Sequence, residues 1–268
     1  MKVTVLGTGT STGVPVPACR CAICTSQNPK NTRLRASIYV ELPNNSASGA
    51  RPFGILIDTA TDLRTQALRA GLSHIDAVFY THCHADHVFG IDDLRSFNFI
   101  TGEVIQIYAS KDVGKELTGR FDYAFNADLD YEGGMAPMLN LHRINPLEPV
   151  QFDTHLVTPL PLFHGKLGIF GYRINNFAYL TDCSSIPEET RELLDGLDTL
   201  IIDGLRFKPH KTHFTIEQSI REIERIKPKQ AYITHISHEV DYDFGNSYIR
   251  ERTTAAVELC YDGLVLDL

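Results

Sequence analysis

Three histidines and an aspartate stand within THCHADH, Thr81 to His87, in a 268-residue chain that holds eleven histidines in all. Neutral imidazole and ionised carboxylate are the usual donors for zinc, which they meet at about 2.0–2.2 Å. His82 and His84 are two residues apart, so on an extended segment their side chains share a face. Asp86 and His87 follow where the chain turns into a helix and face a second point nearby. One loop can therefore serve two metals. Four further residues each close an apolar run: Asp58 ends GILID, His164 ends LVTPLPLFH, Asp182 ends AYLTD and His235 ends AYITH. A single histidine at a strand end is an ordinary polar contact. Agreement among five strand ends points to one site at a sheet edge.

A second set of donors lies in PACRCAIC, where Cys19, Cys21 and Cys24 sit within six residues. Thiolates this close suit metal ligation better than long-range disulfides. Three are one short of a closed tetrahedral site, and His238, three residues beyond His235, is a natural fourth. Cys83 and Cys183 flank candidate ligands but point the other way along an extended chain, which predicts packing roles. Cys260 sits in an apolar C-terminal strand and is expected in the core. In DGLRFKPHKTHFTIEQ, His213 precedes a predicted helix and is a candidate for protonating a leaving group or steadying a phosphate; His210 is its rival. Arg33, Arg35, Lys166 and Arg206 are candidates for a second phosphate on the substrate.

These residues need strands that deliver them to one edge. Val3–Leu6, Ser37–Leu42, Gly54–Asp58, Ile75–Tyr80, Val104–Ala109, Leu156–Phe163, Gly168–Ile174, Ala178–Thr181, Thr199–Asp203 and Ala231–Thr234 read as strands. Thr61–Ala70, Asp112–Arg120, Pro187–Leu194 and Thr215–Ile226 read as helices. Phe121 to Pro146 shows no steady period and reads as a loop-rich insertion that can lie over the site. Strands and helices alternate in both halves without a linker or repeat, which predicts one α/β domain over residues 1–268. The formal charge of −8 argues against a long nucleic-acid partner. No window reaches the run of about 20 apolar residues that a membrane span requires, and a cytoplasmic enzyme is expected.

THCHADH, followed in order by PLFHG, TDCS and ITHISH, resembles the HxHxDH pattern of the metallo-β-lactamase-fold hydrolases. The resemblance runs from Val3 to about Asp243 and implies a four-layer αββα sandwich. It implies a first metal on His82, His84 and His164, a second on Asp86, His87 and His235, and Asp182 bridging both. Asp58 becomes a non-ligand that orients a ligand histidine. The di-iron redox members carry Glu where His84 stands, and the zinc β-lactamases carry a Cys ligand; neither pattern is present. GTGTSTGVPVPACRCAIC together with ITHISH is similar to the phosphoribosyl cyclic phosphate phosphodiesterase subgroup. That similarity implies a structural zinc on Cys19, Cys21, Cys24 and His238, and an active-site histidine at His213.

The expected activity is hydrolysis of a small cyclic or nucleotide-like phosphodiester by a hydroxide held between two divalent metals, with Asp86, Asp182 and His213 as catalytic residues. Zinc, manganese and iron all suit such donors. An RNA-processing nuclease resembling the tRNA 3′-end endonucleases shares the motif, but its protruding Gly/Pro-rich arm and basic surface are not seen. A thiolester or lactone hydrolase is disfavoured by the cysteine loop and His213. A metal or redox sensor has no need for seven intact ligands. Neither nucleic acid nor membrane is an expected partner; a homodimer is compatible with the sequence.

Overall fold

The computed structural model describes residues 1–45, 49–126 and 136–268. Among these, fourteen strands form two seven-stranded sheets. The first sheet contains β1 (Lys2–Gly7), β2 (Ser37–Leu42), β3 (Phe53–Ile57), β4 (Ala77–Phe79), β5 (Ile105–Ala109) and β6 (Leu139–Arg143). The second contains β7 (Val150–Phe152), β8 (His155–His164), β9 (Leu167–Ile174), β10 (Phe177–Leu180), β11 (Thr199–Asp203), β12 (Gln230–Thr234) and β13 (Val257–Leu259). The last strand, β14 (Val265–Asp267), returns to the first sheet and pairs antiparallel with β1.

Each sheet is half antiparallel and half parallel. Strands β1 to β3 are antiparallel neighbours, and β3 to β6 run parallel. In the second sheet β7 to β10 are antiparallel and β10 to β13 parallel. Parallel pairs need crossovers, and helices supply them. On the first sheet these are α1 (Leu63–Ala70), α2 (Ala85–Val88), α3 (Leu94–Thr101), α4 (Lys111–Arg120) and α5 (Asp122–Phe125). On the second they are α6 (Glu188–Glu192), α7 (Ile216–Ile226) and α8 (Tyr242–Arg250).

Side-chain alternation sorts the core into three layers. Val3, Val5, Ile38, Ile55 and Phe79 meet Tyr172, Tyr179 and Ile201 between the sheets. Leu56, Val78 and Ile107 face the helices of the first sheet. Leu180, Leu200 and Ile202 face Ile216, Ile220 and Ile223 of α7. Helix–sheet–sheet–helix layering follows, the αββα sandwich expected from the sequence. Helix α7 shows why the local prediction works. Thr215 and Gln218 close a reciprocal capping box, and the buried positions Ile216, Ser219, Ile220 and Ile223 repeat at helical spacing.

The insertion is more regular than its sequence suggests. Asp122–Phe125 is helical, and Leu139–Arg143 extends the first sheet as an edge strand parallel to β5. Alternation in LNLHR is weak because an edge strand half exposes both faces. The remainder of that insertion, 127–135, lies outside the described residues. Strands β7, β13 and β14 are three residues each, too short to show a period. Helix α3 carries Phe99 and Ile100 exposed, which blurs its pattern.

Candidate metal centre

All the strand-end residues singled out above gather at one edge, at the carboxyl ends of β3, β4, β8, β10 and β12. That is where α/β sheets place ligands. The chain turns sharply there. Asp58, Asp182 and His235 have φ of 63°, 54° and 59°, left-handed values for residues with side chains. Each such conformation costs about 1–3 kcal/mol and persists only where the surroundings enforce it. Here it swings a donor off the end of its strand and back over the sheet edge.

The donor atoms of His82, His84, His164 and Asp182 lie within 4.8 Å of one another, and so do those of Asp86, His87, Asp182 and His235. Asp182 belongs to both groups. Its Oδ1 stands 3.4 Å from His87 Nε2 and 3.1 Å from His235 Nε2, and its Oδ2 stands 3.7 Å from His82 Nε2. Asp86 Oδ2 is 3.3 Å from His87 Nε2. Two donors at about 2.0–2.2 Å from one tetrahedral ion stand about 3.3–3.6 Å apart. The spacing therefore fits a divalent cation in each group. An independent sign agrees: Nε2 of His82, His87 and His235 is buried without a hydrogen-bond partner, and such orphans are rare in folded proteins.

The opposite ring nitrogens of His87, His82 and His164 are held from behind. Asp58 Oδ2 accepts from His87 Nδ1 at 2.7 Å and from the Thr81 hydroxyl at 2.8 Å, while the Thr81 backbone N–H donates to Oδ1. The Thr81 hydroxyl in turn lies 2.9 Å from His82 Nδ1. His164 Nδ1 donates to the Thr212 carbonyl at 2.9 Å. These bonds fix each ring with Nε2 facing inward, the arrangement that metal-ligating histidines show.

Electrostatics follow the same division. Burial holds the His82 and His164 imidazoles below their ordinary value, so they are neutral donors. Burial opposes charge on Asp182 too, yet His235 and His87 outweigh it and keep the carboxylate ionised. Burial likewise works against a charged His87, but Asp182, Asp86 and Asp58 together raise it well above its ordinary value. His84 is exposed, which opens the cluster to solvent on that side.

The structure places His213 beside this cluster, its ring 4.6 Å from His164 and 4.8 Å from His235. It is 9% exposed, whereas His210 lies on the surface with its ring 5.1 Å from His213. Behind His213 lies Asp203, which the sequence reading assigned only to the end of a strand. Its Oδ1 is 3.2 Å from His213 Nδ1, and its Oδ2 accepts from the Phe214 backbone N–H at 2.9 Å. Burial raises the Asp203 carboxyl well above its ordinary value and lowers His213. With Nδ1 turned to Asp203, Nε2 of His213 is the nitrogen left for a ligand.

The basic candidates divide. Arg33 is not available to a substrate: it is 1% exposed and donates to the carbonyls of Ser237 and Val240 and to Asn31 Oδ1. It pins the N-terminal loop to the segment after β12. Arg35 is paired with Asp62 and Arg206 with Glu239. Lys166 is exposed on the β8–β9 turn, next to the ligand candidate His164.

Across the same N-terminal loop, Cys19, Cys21 and Cys24 place their Sγ atoms 3.4, 3.6 and 3.5 Å from His238 Nδ1. A tetrahedral ion with Zn–S of about 2.3 Å and Zn–N of about 2.0–2.1 Å gives an S···N edge of about 3.5 Å. The donor set fits a closed Cys₃His site. The backbone N–H of Cys24 holds the Cys21 thiol down to about 6, toward the thiolate that a metal needs. Cys83, Cys183 and Cys260 are buried among apolar side chains, the packing roles expected of them.

Residues 54–236 match the family model of the beta-lactamase superfamily domain. The chain belongs to that superfamily and has the metallo-β-lactamase fold. A solved diphosphatase of the PhnP family is 39% identical, superposes with a TM-score of 0.87, and is covered over 97% of its chain by 100% of this one. Identity and coverage of that order place this chain in the PhnP family. An octanoyltransferase of Porphyromonas gingivalis is also 39% identical, over 239 residues, 89% of this chain but 46% of that protein. The chain thus spans about half the length of that relative. Zinc-bound PqqB of Methylobacterium extorquens, 23% identical and aligned over 100% of both chains at a TM-score of 0.78, shares the fold. No helix among the described residues is long and apolar enough to cross a membrane.

Proposed function

We propose that the protein is a dinuclear metal-dependent phosphodiesterase acting on a small cyclic or nucleotide-like phosphodiester. The observation that carries this is the pair of donor sets sharing Asp182, with His213 standing beside them. His82, His84 and His164 would hold one divalent cation, and Asp86, His87 and His235 the other, with Asp182 common to both. When bound, such a pair supplies Lewis acidity and a nucleophile at neutral pH; zinc or manganese, and also iron, suit the donors.

The chain's own residues do the rest. Asp58 and Thr81 hold His87 and His82 in register. The exposed His84 side admits a phosphodiester in line with the cluster. His213 would meet the leaving oxygen through Nε2 and supply a proton or a hydrogen bond. Lys166 is a candidate to meet a second phosphate. A closed Cys₃His zinc would stabilise the loop that packs against the segment carrying His235. A phosphoanhydride is the second reading, supported by the PhnP-family diphosphatase similar over the whole chain. It needs the same in-line displacement, with a phosphate leaving in place of an alkoxide.

The test is a panel of ribose cyclic phosphates, linear dinucleotides, nucleoside diphosphate esters, a tRNA precursor and a thiolester, assayed with each metal. Turnover of cyclic phosphates above all others is the expected result. Preference for diphosphates selects the second reading, and turnover confined to the thiolester overturns both.

A further inference from the structure

We propose that Asp203 is a positioning residue that couples the leaving-group histidine to the second cation site, by seating His213 and His235 on one buried carboxylate. The geometry is specific. Asp203 closes β11 and is 0% exposed. Its Oδ1 stands 3.2 Å from His213 Nδ1 and 3.6 Å from His235 Nδ1. The two rings are stacked, 4.8 Å apart and 12° from parallel. His235 therefore turns Nε2 toward Asp182 and Asp86, at 3.1 and 3.9 Å, and His213 has only Nε2 left for a substrate. The carboxylate is itself fixed, since Oδ2 accepts from the Phe214 N–H and the Asp203 carbonyl accepts from the Ser219 hydroxyl. A Cβ on Gly204 would meet Ile233 Cγ2 at 2.2 Å, so the strand end is packed hard against β12.

This arrangement repeats, on the second sheet, what Asp58 does on the first. There one buried carboxylate holds His87 directly and His82 through Thr81. The difference is that Asp203 is hydrogen-bonded to His213 directly and faces, at 3.6 Å, the Nδ1 of His235, which is buried without a hydrogen-bond partner. A shift of its carboxylate moves both the cation donor and the leaving-group donor. Replacing it with asparagine keeps the volume but puts an amide, half donor and half acceptor, opposite His213 Nδ1 and the unpartnered Nδ1 of His235.

The inference rests on the proposed roles of His213 and His235, and the experiment separates the three. D203N, H213A and the double variant are compared with wild type for metal affinity, by chelator competition with elemental analysis. Turnover is measured on two phosphodiesters, one leaving as p-nitrophenolate and one as an alkoxide. In D203N the weaker cation should be lost at about 10- to 100-fold lower chelator, as when a partner behind a ligand is removed. Turnover of the alkoxide substrate should fall about 10²-fold or more, and that of the p-nitrophenyl substrate several-fold less. The double variant should lose no more alkoxide turnover than H213A, beyond the part explained by metal loss.

Equal losses on both substrates with unchanged metal affinity would overturn the inference, as would losses in the two single variants that multiply. If H213A alone keeps full alkoxide turnover, the role of His213 fails and with it the coupling, whatever the metal arm shows. If D203N does not fold, as judged by thermal denaturation, D203E carries the same readouts. It retains the carboxylate and should preserve the metal while displacing His213. Loss of metal with unchanged alkoxide turnover per metal would count against the coupling.

Discussion

The histidine–aspartate cluster draws its donors from strand ends of both sheets, with every one buried except His84. The cysteine cluster draws three donors from a loop and the fourth from another loop, and all four are half-buried. In the first, hydrogen bonds from Asp58, Thr81, Asp203 and the Thr212 carbonyl stand behind the rings. In the second, the sulfur atoms meet mainly backbone groups of their own segment and the one imidazole. A site that does chemistry needs preorganised donors and an open side. A site that ties loops needs only closure. The contrast supports the proposal that reaction belongs to the first cluster and tethering to the second.

Four substitutions test that division. The largest effect is expected for D182A, which removes the carboxylate common to both donor groups. Turnover of bis(p-nitrophenyl) phosphate should fall by at least about 10³-fold with loss of metal, measured by steady-state kinetics and elemental analysis; full activity would refute the shared-carboxylate reading. Next, H213A should retain metal and lose about 10²-fold in turnover of an alkoxide-leaving substrate, and normal turnover would hand the role to His210. Asp58→Asn should weaken metal binding by about 10- to 100-fold, read by chelator titration, with the fold retained by circular dichroism. The smallest effect on chemistry is expected for C21S. Metal content should fall from three ions per chain to two and the melting temperature should drop, while turnover of the folded fraction stays within about twofold. A wild-type chain saturated by two ions would remove the tethering role.

Much of the site was readable because its donors end apolar strands. GILID, AYLTD and AYITH announce an edge, and THCHADH crowds four donors into one turn. The same rule was available for Asp203. TLIID closes as GILID does, but no histidine adjoins it in sequence. His235 comes to it through the parallel pairing of β11 with β12, and His213, ten residues on, through the return of the segment that the Leu205 N–H closes on the Phe214 carbonyl. Arg33 failed in the opposite direction. A basic residue in a polar loop reads as solvated, and nothing local reveals that loop being drawn under the segment after β12. Strand-end donors are local facts; burial of a loop is a tertiary one.

The distance along the chain between Cys19 and His238 carries a consequence for synthesis. The two residues are 219 apart, so a ribosome working at about 5–20 residues per second exposes the thiols on the order of 10–40 s before their imidazole partner exists. During that interval the trio is an open, reactive chelator on a nascent chain. The tether can close only once His238 has emerged from the ribosome, so zinc supply and reducing conditions during that interval act on the open thiol trio.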